Sequence, residues 1–465
     1  MDRRDFLRAA GSAATLSLAS PLGRTAPADI DELLDILEDT PRSQTIERVV
    51  ARIRSGVSYE DLLAALTLAT VRNVQPYPDV GFKYHAVMVL QALHRTASGM
   101  GSTQRWLPVL WGVDYFKEEQ ADELQASGWT MPARAPTPAC SLAQARSGLV
   151  SALDHWDLEA ADAAVVDFAN AAQPREVFEL LVRYGARDFR GIGHKAITVL
   201  NAHRILALLG WRHREPVLRS VAAALVNHHD DPNPATAELE DDAAWRQNTA
   251  LRREIPESWL EGRADAAASR EMLAVLREAD SLEASRAVVG LLSDGVSPMS
   301  LWDALHAAAA ELMLTDPDVV PLHAQTSSHA LHYGFRESRD TATRQLMLLQ
   351  CAAFIPRFRA RVRARRRAVS IDALEPLEVA AGAEALEDIF SRGRRGRARA
   401  AGKALSYLQA GGAVQPIVDR VRHYLAETGD SPWRDRWLAA GFVYFNGPWA
   451  RSNPTMREAR ALLEA

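Results

Sequence analysis

The sequence predicts an all-α chain: a multi-helical bundle with three internal pseudo-repeats of one helix A–B–C unit. Two observations carry that expectation. From Asp29 onward apolar residues recur at helical spacing almost throughout, while strand-like alternation is scarce and β-branched runs are short. One histidine-bearing pattern also occurs three times: Asp188 through Gly191 and Gly193 to His194 and then His203, Asp79 to His85 and then His94, Asp318 to His323 and then His332. The aspartate-to-histidine step is six, six and five residues, and the histidine-to-histidine step is nine in each copy. Long inserts separate the copies, which favours one globular bundle over a regular superhelix.

In chain order, Arg3, Arg4, Phe6 and Leu7 precede the mildly apolar residues 9–22 and resemble a twin-arginine export signal. Ala26-Pro27-Ala28 fits a small-x-small cleavage site, so the signal is expected over residues 1–28 and a single all-α domain over 29–465. The export machinery is then a partner, and the mature chain is expected in the periplasm or outside the cell. Residues 30–37 read as a short amphipathic helix. The first unit, about 58–122, starts with Ser58 and the acidic pair Glu60 and Asp61 ahead of Leu62, Leu63, Leu66 and Leu68. Its B helix runs over 82–95 and its C helix from Arg105.

A proline-rich connector (132–138) and a helical stretch (141–172) follow. The second unit, about 174–227, has helices over 175–184, 193–209 and 215–226. Residues 238–280 read as charged helical padding. The third unit, about 300–361, has helices over 300–314, about 323–336 and 343–358. A C-terminal helical section covers 371–465.

At 465 residues and 48% hydrophobic the chain can bury a large core, and a formal charge of -5 gives no push toward nucleic acid. Lys83, Lys117, Lys195 and Lys403 are the only lysines among 54 basic residues, a compositional bias. The arginine runs 357–367 and 392–399 are therefore read as solvated helix ends rather than phosphate-binding patches. Cys140 and Cys351 make no disulfide framework, and no CxxC, HExxH, GxSxG, P-loop or strand-borne GxGxxG occurs. No segment offers about 18 uninterrupted apolar residues, so no membrane span is expected.

Along a helix nine residues advance about 900° and rise about 13.5 Å, so the two histidines of one unit cannot share a metal. They form two layers. His85, His194 and His323 stand where the B helices begin, and His94, His203, His332 and nearby His213 stand at the far ends. Packing equivalent B helices together would converge the first three imidazoles. Three neutral imidazoles with open positions suit Fe(II) best, with Cu or Zn as alternatives, and leave room for O₂ and a substrate. Asp79, Asp188 and Asp318 are expected to orient those rings or cap the helices. His329 would add a fourth nitrogen if the third B helix starts irregularly. Trp106, Trp111 and Tyr115 are candidate walls for an aromatic substrate.

Leu322–Leu331, which reads LHAQTSSHAL, resembles the LHAxTxxHAL segment of questin-oxidase-like proteins. The stretches beginning Phe82-Lys83-Tyr84-His85 and Gly193-His194-Lys195 are similar to the two earlier histidine helices of that family. The resemblance covers three short blocks. It implies an all-α fold and oxidative opening of anthraquinone-type rings, by Baeyer–Villiger-like oxidation or by non-haem iron dioxygenation. It also implies His85, His194 and His323 as iron ligands, with Lys403 at the place of a modified lysine. The reading is thus an exported non-haem iron oxygenase or oxidase. The alternatives are a non-catalytic helical-repeat binding protein and a non-covalent haem protein using the far layer.

Overall fold

The computed structural model describes residues 28–76, 82–98, 100–134, 140–228, 230–316, 318–363, 369–382, 384–390, 397–427, 459 and 461–463; within them the side chains of 28–29, 82–86, 363, 397–398 and 421–427 lie outside the described set. The twin-arginine segment, Asp79 and the His85 side chain are therefore outside it. Among the described residues there is no strand, only one isolated bridge between Arg263 and Val296. The fold is an all-α bundle, and no described helix is long and apolar enough to cross a membrane.

The chain opens with α1 (Ala28–Asp39), α2 (Arg42–Arg54) and α3 (Tyr59–Asn73), followed by α4 (Phe82–Ala97) and α5 (Trp106–Ala126). Ser58 caps α3 by accepting the Asp61 amide at 3.1 Å. The hairpin α6 (Leu142–Asp154) and α7 (Leu158–Ala171) leads to α8 (Pro174–Gly185), α9 (His194–Leu209) and α10 (Arg214–Val226). Next come α11 (Glu240–Leu251), α12 (Ala266–Glu278) and α13 (Ser281–Ser293), then α14 (Pro298–Thr315), α15 (Val319–Glu337) and α16 (Thr341–Arg363). The short α17 (Glu384–Phe390), α18 (Arg397–Gln409) and α19 (Val414–Glu427) pack on one another.

Helix α9 is the hub. Its buried residues point around its whole circumference, so it needs protein on every side. It packs against α4, α8, α10 and α15. The two other helices that carry histidines nine residues apart, α4 and α15, thus both contact α9. α15 in turn packs against α14 and α16.

Two sequence expectations need correction here. The third B helix begins at Val319, one turn before His323, because Asp318 takes the N-cap and its carboxylate accepts the Val319 amide at 2.8 Å. The arginines of 357–363 are not merely solvated. Arg357 pairs with Glu240 and Asp241 at the start of α11, and Arg359 donates to the carbonyls of Leu276, Glu278 and Ala279 at the end of α12. Those terminal carbonyls have no partner inside their own helix, so a guanidinium there satisfies several at once.

A tight approach of the start of α9 to α15 rests on Gly193. Its φ is +88°, and a Cβ there would stand 2.6 Å from the Ser327 Cβ. Gly193→Ala is expected to lower stability by about 1–3 kcal/mol, from left-handed strain plus the clash with α15. Urea unfolding of the variant checks this, and the same change at Gly290, where a Cβ meets nothing within 4 Å, is expected to be tolerated.

Candidate functional site

The site is built from the turn between α8 and α9. Asp188 is 1% exposed, and its two oxygens are divided between the turn and the helix. One accepts the Arg190 amide at 3.0 Å, and the other pairs with the Lys195 ammonium at 2.9 Å. Arg190, also buried, pairs with Asp242 at 3.1 Å and donates to the His228 carbonyl at 2.9 Å. Arg187, Lys195 and Arg190 all face the Trp156 ring, at 3.9, 4.3 and 5.3 Å from its centroid. Burial pushes the Lys195 ammonium down to about 8, against the pull of Asp188. Gly191, Ile192 and Gly193 then pass in succession through positive φ, at 52°, 48° and 88°. A β-branched residue in that region is costly, so the surrounding ion pairs hold Ile192 there.

The turn delivers His194 at the first position of α9, wholly buried, opposite His323 of α15, which is 4% exposed. The Nδ1 atom of His194 meets the Gly191 carbonyl, and the Nδ1 atom of His323 meets the Val319 carbonyl at 2.7 Å. A carbonyl only accepts, so each Nδ1 carries the proton and each Nε2 presents a lone pair. The two Nε2 atoms stand 2.9 Å apart, with ring centroids at 4.3 Å. Two lone pairs at that distance repel unless a proton or a cation lies between them.

The structure therefore brings together two of the three histidines expected to converge. The third, His85, lies in the first turn of α4, which packs on α9; its side chain is outside the described residues. Among the described residues no group of three or more histidine, cysteine or carboxylate side chains is placed to hold a metal. Of the three candidate carboxylates Asp79 lies outside the described residues, and Asp188 and Asp318 do not orient the rings. Asp188 is taken by Lys195, Asp318 caps α15, and backbone carbonyls hold both imidazoles instead. Lys403 contacts the carboxylate and carbonyl of Asp388, and among the described residues its contacts include no histidine. Cys140 and Cys351 are both free, one exposed and one buried.

His329 does not join His323. α15 is regular, so six residues place His329 about 600° round and about 9 Å along. It enters the far layer, where Arg204 of α9 approaches its Nε2 at 3.4 Å. There His332 shares a 2.9 Å hydrogen bond with His306 of α14 and stacks on Trp302, centroids 4.6 Å apart. His203 bonds the Tyr333 hydroxyl at 2.9 Å and stacks on Phe178 at 4.2 Å. His94 lies against Tyr59, and His213 accepts from its neighbour Arg212 at 2.9 Å. Among the described residues no two of His94, His203, His213 and His332 bond or stack with each other, so the far layer offers no axial pair for haem.

Burial holds the far-layer imidazoles neutral. It pushes His94, His203 and His306 down to about 4 and His332 to about 3, with nearby arginines adding to the effect at His94 and His203 and with His306 and Arg336 adding to it at His332. His329 lies well below the ordinary imidazole value, chiefly through burial and then through Arg204.

Of the candidate pocket aromatics, Trp111 is buried and packs on Tyr115 at 5.0 Å, and Trp106 is half-buried against Tyr59 at 5.5 Å. Sequence reasoning missed Lys195, Trp156, Arg204 and His306. Lys195 stands directly after His194, and a lone lysine in an arginine-rich chain was the available signal. His306 sits in an alanine-rich helix with no counterpart in the other units, so nothing local marked it.

No family model, curated protein or solved structure matches the chain.

Two expected outcomes follow from this geometry. Lys195→Met leaves the Asp188 carboxylate buried without its ammonium and is expected to lower stability by roughly 3–5 kcal/mol. Adding Asp188→Asn should recover at least half of that loss in chemical denaturation. The neutral far layer gives the second. Imidazoles of the unfolded chain titrate near 6.5, whereas the folded ones resist protonation to about 4 or below. As pH falls from 7 to 5 the unfolded state therefore takes up protons that the fold refuses. Stability should drop by on the order of 1–2 kcal/mol per ring over that window. Denaturation midpoints measured across it should slope downward toward acid, and His306→Leu with His332→Leu should flatten the slope.

Proposed function

We propose that the chain is an exported metal-dependent oxidoreductase, a non-haem iron oxygenase or oxidase acting on an aromatic or polycyclic substrate. His194 and His323 serve as metal ligands through Nε2, with His85 of α4 as the third. The observation that carries this reading is the 2.9 Å approach of two Nε2 atoms whose rings are fixed by carbonyls at Nδ1. Two nitrogen–metal bonds of about 2.0–2.1 Å meeting at a right angle span about 2.9 Å. The carbonyl bonds also favour it, since a donated Nδ1–H raises the basicity of the opposite nitrogen and sets the ring plane.

A set of neutral imidazoles without thiolate suits Fe(II), with Cu and Zn as the alternatives; burial pushes the Cys351 thiol up, away from thiolate character. Bound there, the metal would supply O₂ binding and one-electron transfer, with the electrons drawn overall from the substrate or a co-reductant. The chain's own contribution is to hold two imidazoles deprotonated at Nε2, to exclude bulk water from them, and to keep their approach fixed through the Asp188–Lys195 tie. The resemblance of the three histidine blocks to questin-oxidase-like proteins supports the same chemistry and the substrate class. Export rests on Arg3 and Arg4 with the apolar run behind them.

Elemental analysis of the full chain after anaerobic reconstitution with Fe(II) tests the reading. About one iron per chain is expected in the parent, and a loss of most of it in His194→Ala and in His323→Ala. No metal in the parent, with both variants folded and only slightly less stable, would overturn it and leave a protonated imidazole pair in a helical scaffold. In a host with twin-arginine transport, Arg3→Lys with Arg4→Lys should hold the protein in the cytoplasm.

A further inference from the structure

Among the described residues, Trp156, Ile192 and Asp230 are the non-glycine positions with a left-handed backbone, and all of them gather around one side chain. Arg190 stands over the Trp156 ring at 5.3 Å and lies two residues before Ile192. It donates to the His228 carbonyl at 2.9 Å and comes within 3.5 Å of the Asp231 carboxylate, so Asp230 sits between its two contacts in that loop. Its best-buried ionic partner is Asp242 of α11, at 3.1 Å. Strain of this kind persists only where the surroundings over-determine the backbone, and it collects at clamps and switch regions.

The strained segment, the tight turn Arg190–Gly193, also anchors one of the two facing imidazoles. His194 Nδ1 donates to the Gly191 carbonyl, inside the turn. His323 Nδ1 donates to the Val319 carbonyl, four residues back within α15. The two rings therefore hang on backbones of different stiffness. Freeing His323 means unwinding the first turn of a helix that Asp318 caps. Freeing His194 takes rotation only at Gly191, Ile192 and Gly193, and two of these are glycines with little steric barrier. Ile192 gains by leaving the left-handed region, so the strain favours that rotation. Phe189, just before the turn, stays packed edge-on against Phe354 and Phe358. What opposes the rotation is the hold on Arg190.

We propose that the turn Arg190–Gly193 is a gate over the facing pair, with Arg190 as its latch. Closed, it buries His194 and aims Nε2 at His323. Open, it releases the His194 ring from Gly191, so that a metal enters and leaves by way of His194 while His323 stays in place. This role rests on the reading of the pair as a metal site, but the opening itself needs no metal.

Arg190→Gln and Asp242→Asn unlatch the turn; the second keeps an acceptor for Arg190 and serves if the first does not fold. Glu311→Gln, which breaks the ion pair with Arg277 between α14 and α12, controls for a generally loosened fold. In the metal-free full chain, amide hydrogen exchange over residues 190–195 is expected to run at least about tenfold faster in the latch variants, with residues 319–323 and the control unchanged. In chains loaded anaerobically with Fe(II), release of iron to ferrozine should quicken by a similar factor in the latch variants alone. Folded latch variants that exchange at the parental rate, or that loosen 319–323 more than 190–195, would overturn the gate. So would loaded latch variants that release iron no faster than the parent. A parent that takes up no iron removes the metal reading instead, and hydrogen exchange then decides whether the turn opens as a unit.

Discussion

The buried contact between Asp188 and Lys195 is the constraint on which the centre of this molecule depends. Both side chains are at most 1% exposed, so neither ion could stay there without the other. The pair ties the end of the turn after α8 to the first turn of α9. Along that short path the backbone passes through three consecutive left-handed residues, one of them Ile192. Such a path is not favoured locally. It persists because Asp188, Arg190 and Asp242 fix its ends and because three cations share the face of Trp156. Its product is the placement of His194 against His323.

That placement explains why the two layers of histidine behave so differently. In the far layer rings meet groups with which they can trade a proton, as His306 does with His332 and His203 with the Tyr333 hydroxyl. Neutral imidazoles can satisfy one another when one nitrogen donates and the other accepts. In the near layer that exchange is blocked. Both Nδ1 protons are committed to carbonyls, so the two Nε2 atoms meet as acceptors. Only a positive species between them makes the contact favourable. One residue type thus yields a neutral network toward one end of α15 and a pair of facing acceptors toward the other.

The sequence was informative where a single periodicity decided the outcome. Most of the helices occur where apolar spacing and capping residues put them, as α3 does behind Ser58. The meeting of His194 and His323 followed from their shared register. Three things were not legible. The aspartates read in the sequence as ring-orienting partners or helix caps, and Asp318 is a cap; the backbone carbonyl one turn back that holds an imidazole at a helix start is revealed by no side-chain pattern. His329 looks like a fourth ligand only if α15 is irregular, and a regular helix turns it away. His306 comes from α14, brought to α15 by long-range packing that no local motif encodes.

The far layer also bears on why a protein would keep so many imidazoles inside an apolar bundle. Burying neutral histidine brings no charge stabilisation and makes the fold sensitive to acid, since the unfolded chain accepts protons that the folded one cannot. Plain core residues at His306, His329 and His332 would avoid both penalties and would leave no orphaned nitrogen. The orphaned atoms are the telling ones: His332 Nε2 and Trp302 Nε1 are buried without a partner on adjacent stacked rings, each forgoing a hydrogen bond that water gives it in the unfolded chain.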